Sequence, residues 1–257
     1  MNRVNASVVA ALLAVLVAPA AWAEAPALPE VKAVTEHLDA LYQAKSSHAT
    51  MTMEITTKHF SRTLELESWS LGKDMMLAVI RKPARESGTA TLKTTDGLWN
   101  FAPRADRLMR VPPGLLSEGW MGSHFTNDDL VKANRYETEY DTTCAWVTEE
   151  GERMLRLTMI PKEHAAVVHT KVEFYVTAEG WIPRRSVYWD EAEIVRTDYF
   201  KDVKTFGGRQ VPAVMEVVPT DKPGEKTRVT YTSLEFDAKV STSLFTPRGL
   251  RKKAQQR

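Results

Sequence analysis

The amino-acid sequence predicts a mainly β protein, one curved antiparallel sheet with helix packed on it. Three observations predict this. From Ser46 onward most of the chain alternates apolar and polar residues with period two, the repeat of a strand. The alternating runs are separated by short turns rich in Gly, Asp and Pro, which join successive strands antiparallel. One long stretch alone, Val31 to Tyr42, repeats its apolar residues at helical spacing.

Met1–Ala23 has the parts of a signal peptide. Arg3 supplies the positive start, Val8–Ala18 is an apolar run too short to span a bilayer comfortably, and Ala21-Trp22-Ala23 fits a cleavage site. The expected mature chain therefore starts at Glu24 and is exported to the periplasm, and no Cys follows the cleavage site to carry a lipid anchor. Residues 24–250 read as one domain, since all-β domains often run to this length undivided. Residues 251–257, with Arg251, Lys252, Lys253 and Arg257, read as a basic solvated tail.

Val31, Val34, Leu38, Leu41 and Tyr42 form the apolar stripe of the helix, and only a sheet face offers enough apolar surface to receive it. Strands follow around Met51, Met53 and Ile55, and around Leu64 and Leu66. The run Met75–Ile80 is apolar on both faces, so both faces should be covered. Further short strands read from 88–94, 97–102 and 106–111. A short helix is expected from Asn127, the N-cap, to Ala133, with Asp128 and Asp129 in its first turn. Strands resume at Tyr136–Val147, Met154–Ile160, Val168–Thr177, Arg184–Trp189, Ile194–Phe206, Gln210–Pro219 and Lys226–Phe236.

The stretch from Lys82 to Val131 organises the rest. Three short strands lead to the break Pro112-Pro113-Gly114, then to a Gly-bounded loop carrying Trp120, Met121 and Phe125. Large apolar groups on such a loop suit a lid over a greasy ligand, and Met adapts to varied shapes. The order Gly88-Thr89-Ala90, Leu98-Trp99, Arg110-Val111-Pro112-Pro113, Trp120-Met121-Gly122-Ser123 and Phe125-Thr126-Asn127-Asp128-Asp129-Leu130 resembles the outer membrane lipoprotein-sorting family of the LolA/LolB-like superfamily. The ending Leu244-Phe245-Thr246-Pro247 is similar to that family as well. The resemblance implies an unclosed half-barrel with a helical lid over an apolar cavity. It implies a periplasmic carrier, a monomer without cofactor, for lipid or lipid-modified protein, with an inner-membrane transporter as a candidate partner. The expected cavity and lid residues are Trp99, Phe101, Met109, Leu116, Trp120, Met121 and Phe125, with Leu38 and Leu41 from the helix and Trp189 from a late strand.

Other chemistry is weaker. The formal net charge is +1 with both signs interspersed, which leaves no nucleic-acid footprint. Cys144 is the one cysteine, so no internal disulfide forms. Ser123, His124, Asp128 and Asp129 offer the residue types of a hydrolytic triad, but triads draw their members from separate places in a fold, and an enzyme is not expected. The six His residues occur singly, without metal-ligand spacing. A second functional reading is a non-catalytic periplasmic accessory or sensor module of an envelope transporter, because fold does not fix function.

Overall fold

The computed structural model describes residues 27–133, 135–163, 165 and 168–256; the signal peptide expected at Met1–Ala23 lies outside them. The chain runs α1 (Val31–Ala40), β1 (Ser46–Thr56), β2 (Ser61–Leu71), β3 (Met75–Lys82), β4 (Ala90–Thr94), β5 (Gly97–Ala102) and β6 (Arg107–Arg110). Then come α2 (Asn127–Lys132), α3 (Tyr136–Glu139), β7 (Tyr140–Glu149), β8 (Glu152–Pro161), β9 (Lys171–Thr177), β10 (Pro183–Asp190), β11 (Glu193–Phe206), β12 (Arg209–Pro219), β13 (Lys226–Phe236) and α4 (Pro247–Gln255). The strand expected from Tyr136 begins only at Tyr140, after the single turn α3, whose Tyr136 N–H donates to Asp39 at 3.0 Å.

All strands lie in one 13-stranded sheet of order β6-β5-β4-β3-β2-β1-β13-β12-β11-β10-β9-β8-β7, and every pairing is antiparallel. Its edges, β6 and β7, do not pair with each other, so the sheet is an unclosed barrel. They are also consecutive in the chain. The connection between them must therefore cross a whole face of the sheet, and it carries the predicted lid.

The two faces are covered differently. On the inner face Val34 and Leu38 of α1 pack on Leu155, Leu157, Phe174 and Phe200. On the other half of that face Trp120, Met121, Phe125 and Leu130 pack on Met53, Ile55, Leu64 and Leu66. The outer face of β3–β5 is covered by the C-terminus: Phe245, Leu250 and Ala254 pack on Leu77, Leu92 and Phe101. The doubly apolar β3 is thus covered on both sides, as its sequence requires, with Leu77 and Val79 outward and Ala78 and Ile80 inward.

The reading of 251–257 as a solvated tail is corrected here. Residues 247–255 form a helix capped by Thr246, whose Oγ1 accepts from the Gly249 N–H at 3.1 Å, with Pro247 in the first turn. Leu250 and Ala254, four apart, are its buried stripe. Four basic residues around a two-residue stripe masked the amphipathic pattern.

Candidate functional site

A cavity of about 290 Å³ lies on the inner face, between α1, the crossing segment and the sheet. Its walls come from β1, β2, β3, β9, β10, β11, β12 and β13. Strands β3 and β9 stand seven steps apart in the sheet, roughly 34 Å if it were flat at about 4.8 Å per step. Both reach one small cavity only because the sheet curls strongly around it. Most of the lining is apolar or aromatic, including Ala49, Met51, Leu66, Met76, Met215 and Tyr231.

Of the sequence-predicted residues, Leu38, Leu41, Trp120 and Phe125 line this cavity. Trp120 does not sit exposed on its loop. It is 8 % exposed, and its Nε1–H donates to Thr91 Oγ1 at 2.9 Å, which itself donates to Asn100 Oδ1 at 2.9 Å. Met121 packs on the same inner cluster in a left-handed conformation (φ 50°), and its carbonyl accepts from the Arg62 guanidinium. With Gly122 also left-handed at φ 69°, the loop doubles back sharply enough for Gly119 and Thr126 to pair. Leu116 is half-buried at the segment's start, its carbonyl accepting from Asp128 N–H at 2.8 Å.

The remaining candidates lie elsewhere. Because Asn100 faces inward to Thr91, its neighbours Trp99 and Phe101 face outward by strand alternation, where Phe101 packs under α4. Met109 is 51 % exposed on the edge strand β6. Trp189 follows the cavity-lining Tyr188 and turns to the outer face, against Val187, Tyr175 and Met154, with the Lys171 ammonium 3.8 Å from its ring centroid.

The sequence reading missed the polar part of the wall. Arg196 of β11 is buried and grips Asp198 through Nε and Nη2, both at 2.8 Å. Its Nη1 reaches Asp129 of α2 at 2.7 Å, and its guanidinium lies 4.2 Å from the Tyr188 ring centroid. Asp129 also closes a capping box with Thr126: its Oδ2 accepts the Thr126 N–H at 2.7 Å and its own N–H donates to Thr126 Oγ1 at 3.1 Å. The cap is Thr126, one residue before the expected Asn127. One carboxylate therefore caps α2 and bolts it to the wall. Burial pushes the Asp129 carboxyl up, but the Arg196 charge and hydrogen bonds bring it below the usual range. Burial wins at Asp198 and raises it, the nearby Asp129 charge adding to the effect. Charged residues at alternating strand positions look like a solvent face, which is why Arg196 and Asp198 were not legible in the sequence.

A second tie closes one end. Asp39 of α1 accepts from Lys73 Nζ and from the Tyr136 N–H, each at 3.0 Å, and Arg135 pairs with Asp74 at 2.6 Å. The Ser123-His124 loop is anchored rather than arrayed around a nucleophile. His124 Nδ1 lies 2.9 Å from Thr227 Oγ1 and Nε2 lies 3.1 Å from Glu225 Oε2, while Ser123 Oγ accepts from the Phe125 N–H. Among the described residues no group of three His, Cys, Asp or Glu could hold a metal ion, and no helix is long and apolar enough to cross a membrane. Cys144 is half-buried, and burial raises its thiol pKa.

The curled, unclosed antiparallel sheet with a helix and a crossing segment on its inner face is a fold shared with solved structures. A domain assigned to outer membrane lipoprotein sorting from Vibrio parahaemolyticus superposes with a TM-score of 0.73 at 21% identity, over 85% of this chain and 97% of that one. A DUF1329 family protein from Desulfovibrio piger gives 0.75 at 20% identity, over 85% and 96%. A LolA superfamily protein from Nitrosomonas europaea gives 0.70 at 19%, over 84% and 96%. A family model described as "Uncharacterized protein" matches residues 72–252, and the chain belongs to that family. No curated protein sequence matches it.

Proposed function

We propose that this protein is a periplasmic carrier that holds acyl chains, of lipid or of a lipid-modified protein, between its sheet, α1 and lid. The observation that carries this reading is the lidded apolar cavity. Its 290 Å³ would take about ten water-sized groups, or one chain segment of about as many methylenes. At about 0.8 kcal/mol per buried methylene, such a segment gains roughly 8 kcal/mol before the cost of ordering it, without a covalent step. Met51, Met76 and Met215 give the wall the adaptability that chains of varied form require. Larger or second chains require the lid to lift, with the 112–126 loop and α1 as the moving parts and an inner-membrane transporter as the donor.

The test is native mass spectrometry of the purified protein, followed by uptake of a fluorescent acyl probe after delipidation. Ala78 is buried and lines the hollow, so Ala78→Phe should fill it without displacing packed atoms. The expected result is bound acyl lipid and probe uptake in the wild type, with uptake lost in folded Ala78→Phe. A protein that carries no lipid and takes up no probe refutes the reading.

A further inference from the structure

Two cations are buried among the described residues, Arg196 and Lys93. Arg196 holds two carboxylates. Lys93 holds none. It is 3 % exposed, and among the described residues its ammonium has one weak partner, the Ala133 carbonyl at 3.5 Å. A buried ammonium carries three donors and a desolvation cost that an anionic partner would offset. Asp74, whose charge acts on the ammonium, is already engaged by Arg135.

The position of this ammonium gives it meaning. Lys93 pairs across the sheet with Met76, which pairs with Ser70, which pairs with Ser47. Residues in such a row share a face, and Ser47, Ser70 and Met76 all line the cavity. Ala133, the residue that ends the lid helix and accepts from Lys93, lines it too. The ammonium thus stands just behind the cavity wall, under the C-terminal end of the lid helix.

Building on the carrier reading, we infer that Lys93 is the receptor for an anionic head group, a carboxylate or phosphate, of an amphiphile whose chain occupies the cavity. Arg196 already holds two carboxylates, Asp129 and Asp198, so that part of the wall offers an acidic head no free cation and leaves Lys93 to receive it.

The test is displacement of a neutral fluorescent acyl probe from the delipidated protein by decanoic acid and by methyl decanoate. The wild type should prefer the acid by about tenfold or more, as a charge-assisted bond in a dry site provides. Lys93→Gln should abolish the preference and Lys93→Arg should keep it. Removing an unpaired buried charge does not threaten folding, so thermal unfolding of Lys93→Gln should be no lower than wild type. Equal affinity for acid and ester, or a preference that survives Lys93→Gln, overturns the assignment while leaving the carrier reading intact. Displacement by neither, with no probe bound, overturns both. Protection of Lys93 from an amine-modifying reagent by inorganic phosphate alone would make it a free-anion site and also overturn the assignment.

Discussion

Asp129 is the place where one substitution should separate lid from barrel. Asp129→Ala removes two things at once. It removes the acceptor for the Thr126 N–H, a cap worth about 1 kcal/mol, and the charged hydrogen bond to Arg196, worth about 1.5–3 kcal/mol. Arg196 keeps both bonds to Asp198, so no uncompensated charge is left behind and the larger cost of a broken buried pair is avoided. The expected loss is about 3 kcal/mol. Asp129→Asn keeps an oxygen for the cap and lets the remaining pair become neutral, so its loss should be about 1–2 kcal/mol. Denaturant unfolding measures the global cost. Amide hydrogen exchange over 118–132 measures the local one, and protection should fall there more than in β8 or β9. If lid amides in Asp129→Ala exchange as slowly as in the wild type, the lid is held by its apolar contacts alone and the role given to this carboxylate is wrong.

Trp120→Ala should lose about 3–5 kcal/mol, the cost of deleting a buried indole, and should enlarge the cavity; denaturant unfolding and a longer-chain acyl probe check the two effects. Gly119→Ala puts a Cβ 2.5 Å from the Ser123 carbonyl oxygen, so the 119–126 loop must shift, for a loss of about 1–3 kcal/mol in the same assay. Lys93 gives a pH signature. Burial, then the Arg135 charge, lowers its pKa from 10.5 to about 8, so between those values the folded state binds fewer protons than the unfolded state and stability must rise with pH. The rise approaches about 3 kcal/mol across that interval and should vanish in Lys93→Met, read as the difference between the two proteins' unfolding free energies at pH 7.5 and 10.5. At the acid end the depressed Asp129 contributes stability that is lost as pH falls through its folded pKa, below the ordinary carboxylate range, and lid exchange should quicken there first.

What could be read from the residues depended on whether pattern and burial agreed. The strands were legible because hydrophobic alternation and turn chemistry coincide along β1–β5 and β8–β13, and α1 because its stripe finds a sheet. Four of the ten candidate site residues line the cavity, and three of the others, Trp99, Phe101 and Trp189, miss it for one reason: an aromatic in a strand has an even choice of face, and the sequence does not say which face is hollow. Trp99 and Phe101 share a face, as expected, but it is the face under α4. Arg196, Asp198 and Lys93 were overlooked for the opposite reason. A charge at an alternating position reads as solvent-facing unless its partner is known, and the distant partners of Arg196 and Lys93 come from α2 and the residue that ends it, far away in sequence.

The topology ties these observations together. A chain that lays down six strands outward from β1 and then resumes at the opposite edge has no short way across, because connections must run over a face of the sheet. The outer face is partly taken by α4, so the crossing falls on the inner face, beside α1. Two separate covers on one curled surface leave a seam between them. Helix α1 fills the half over β8–β11 with Val34 and Leu38, and the crossing segment fills the half over β1–β3 with Trp120 and Phe125. The seam is the cavity, and its boundary is fastened by groups that can let go: Asp129 on Arg196 at one place and Asp39 on Lys73 and Tyr136 at another. An interior closed by one continuous helix would have no such joint. A double substitution loosening both fastenings, Asp129→Asn with Asp39→Asn, should therefore raise probe uptake rates more than the sum of the singles, since either tie alone keeps the crossing segment seated. Additive rates would mean that each half of the cover moves independently, and that the hollow opens along α1 without the lid.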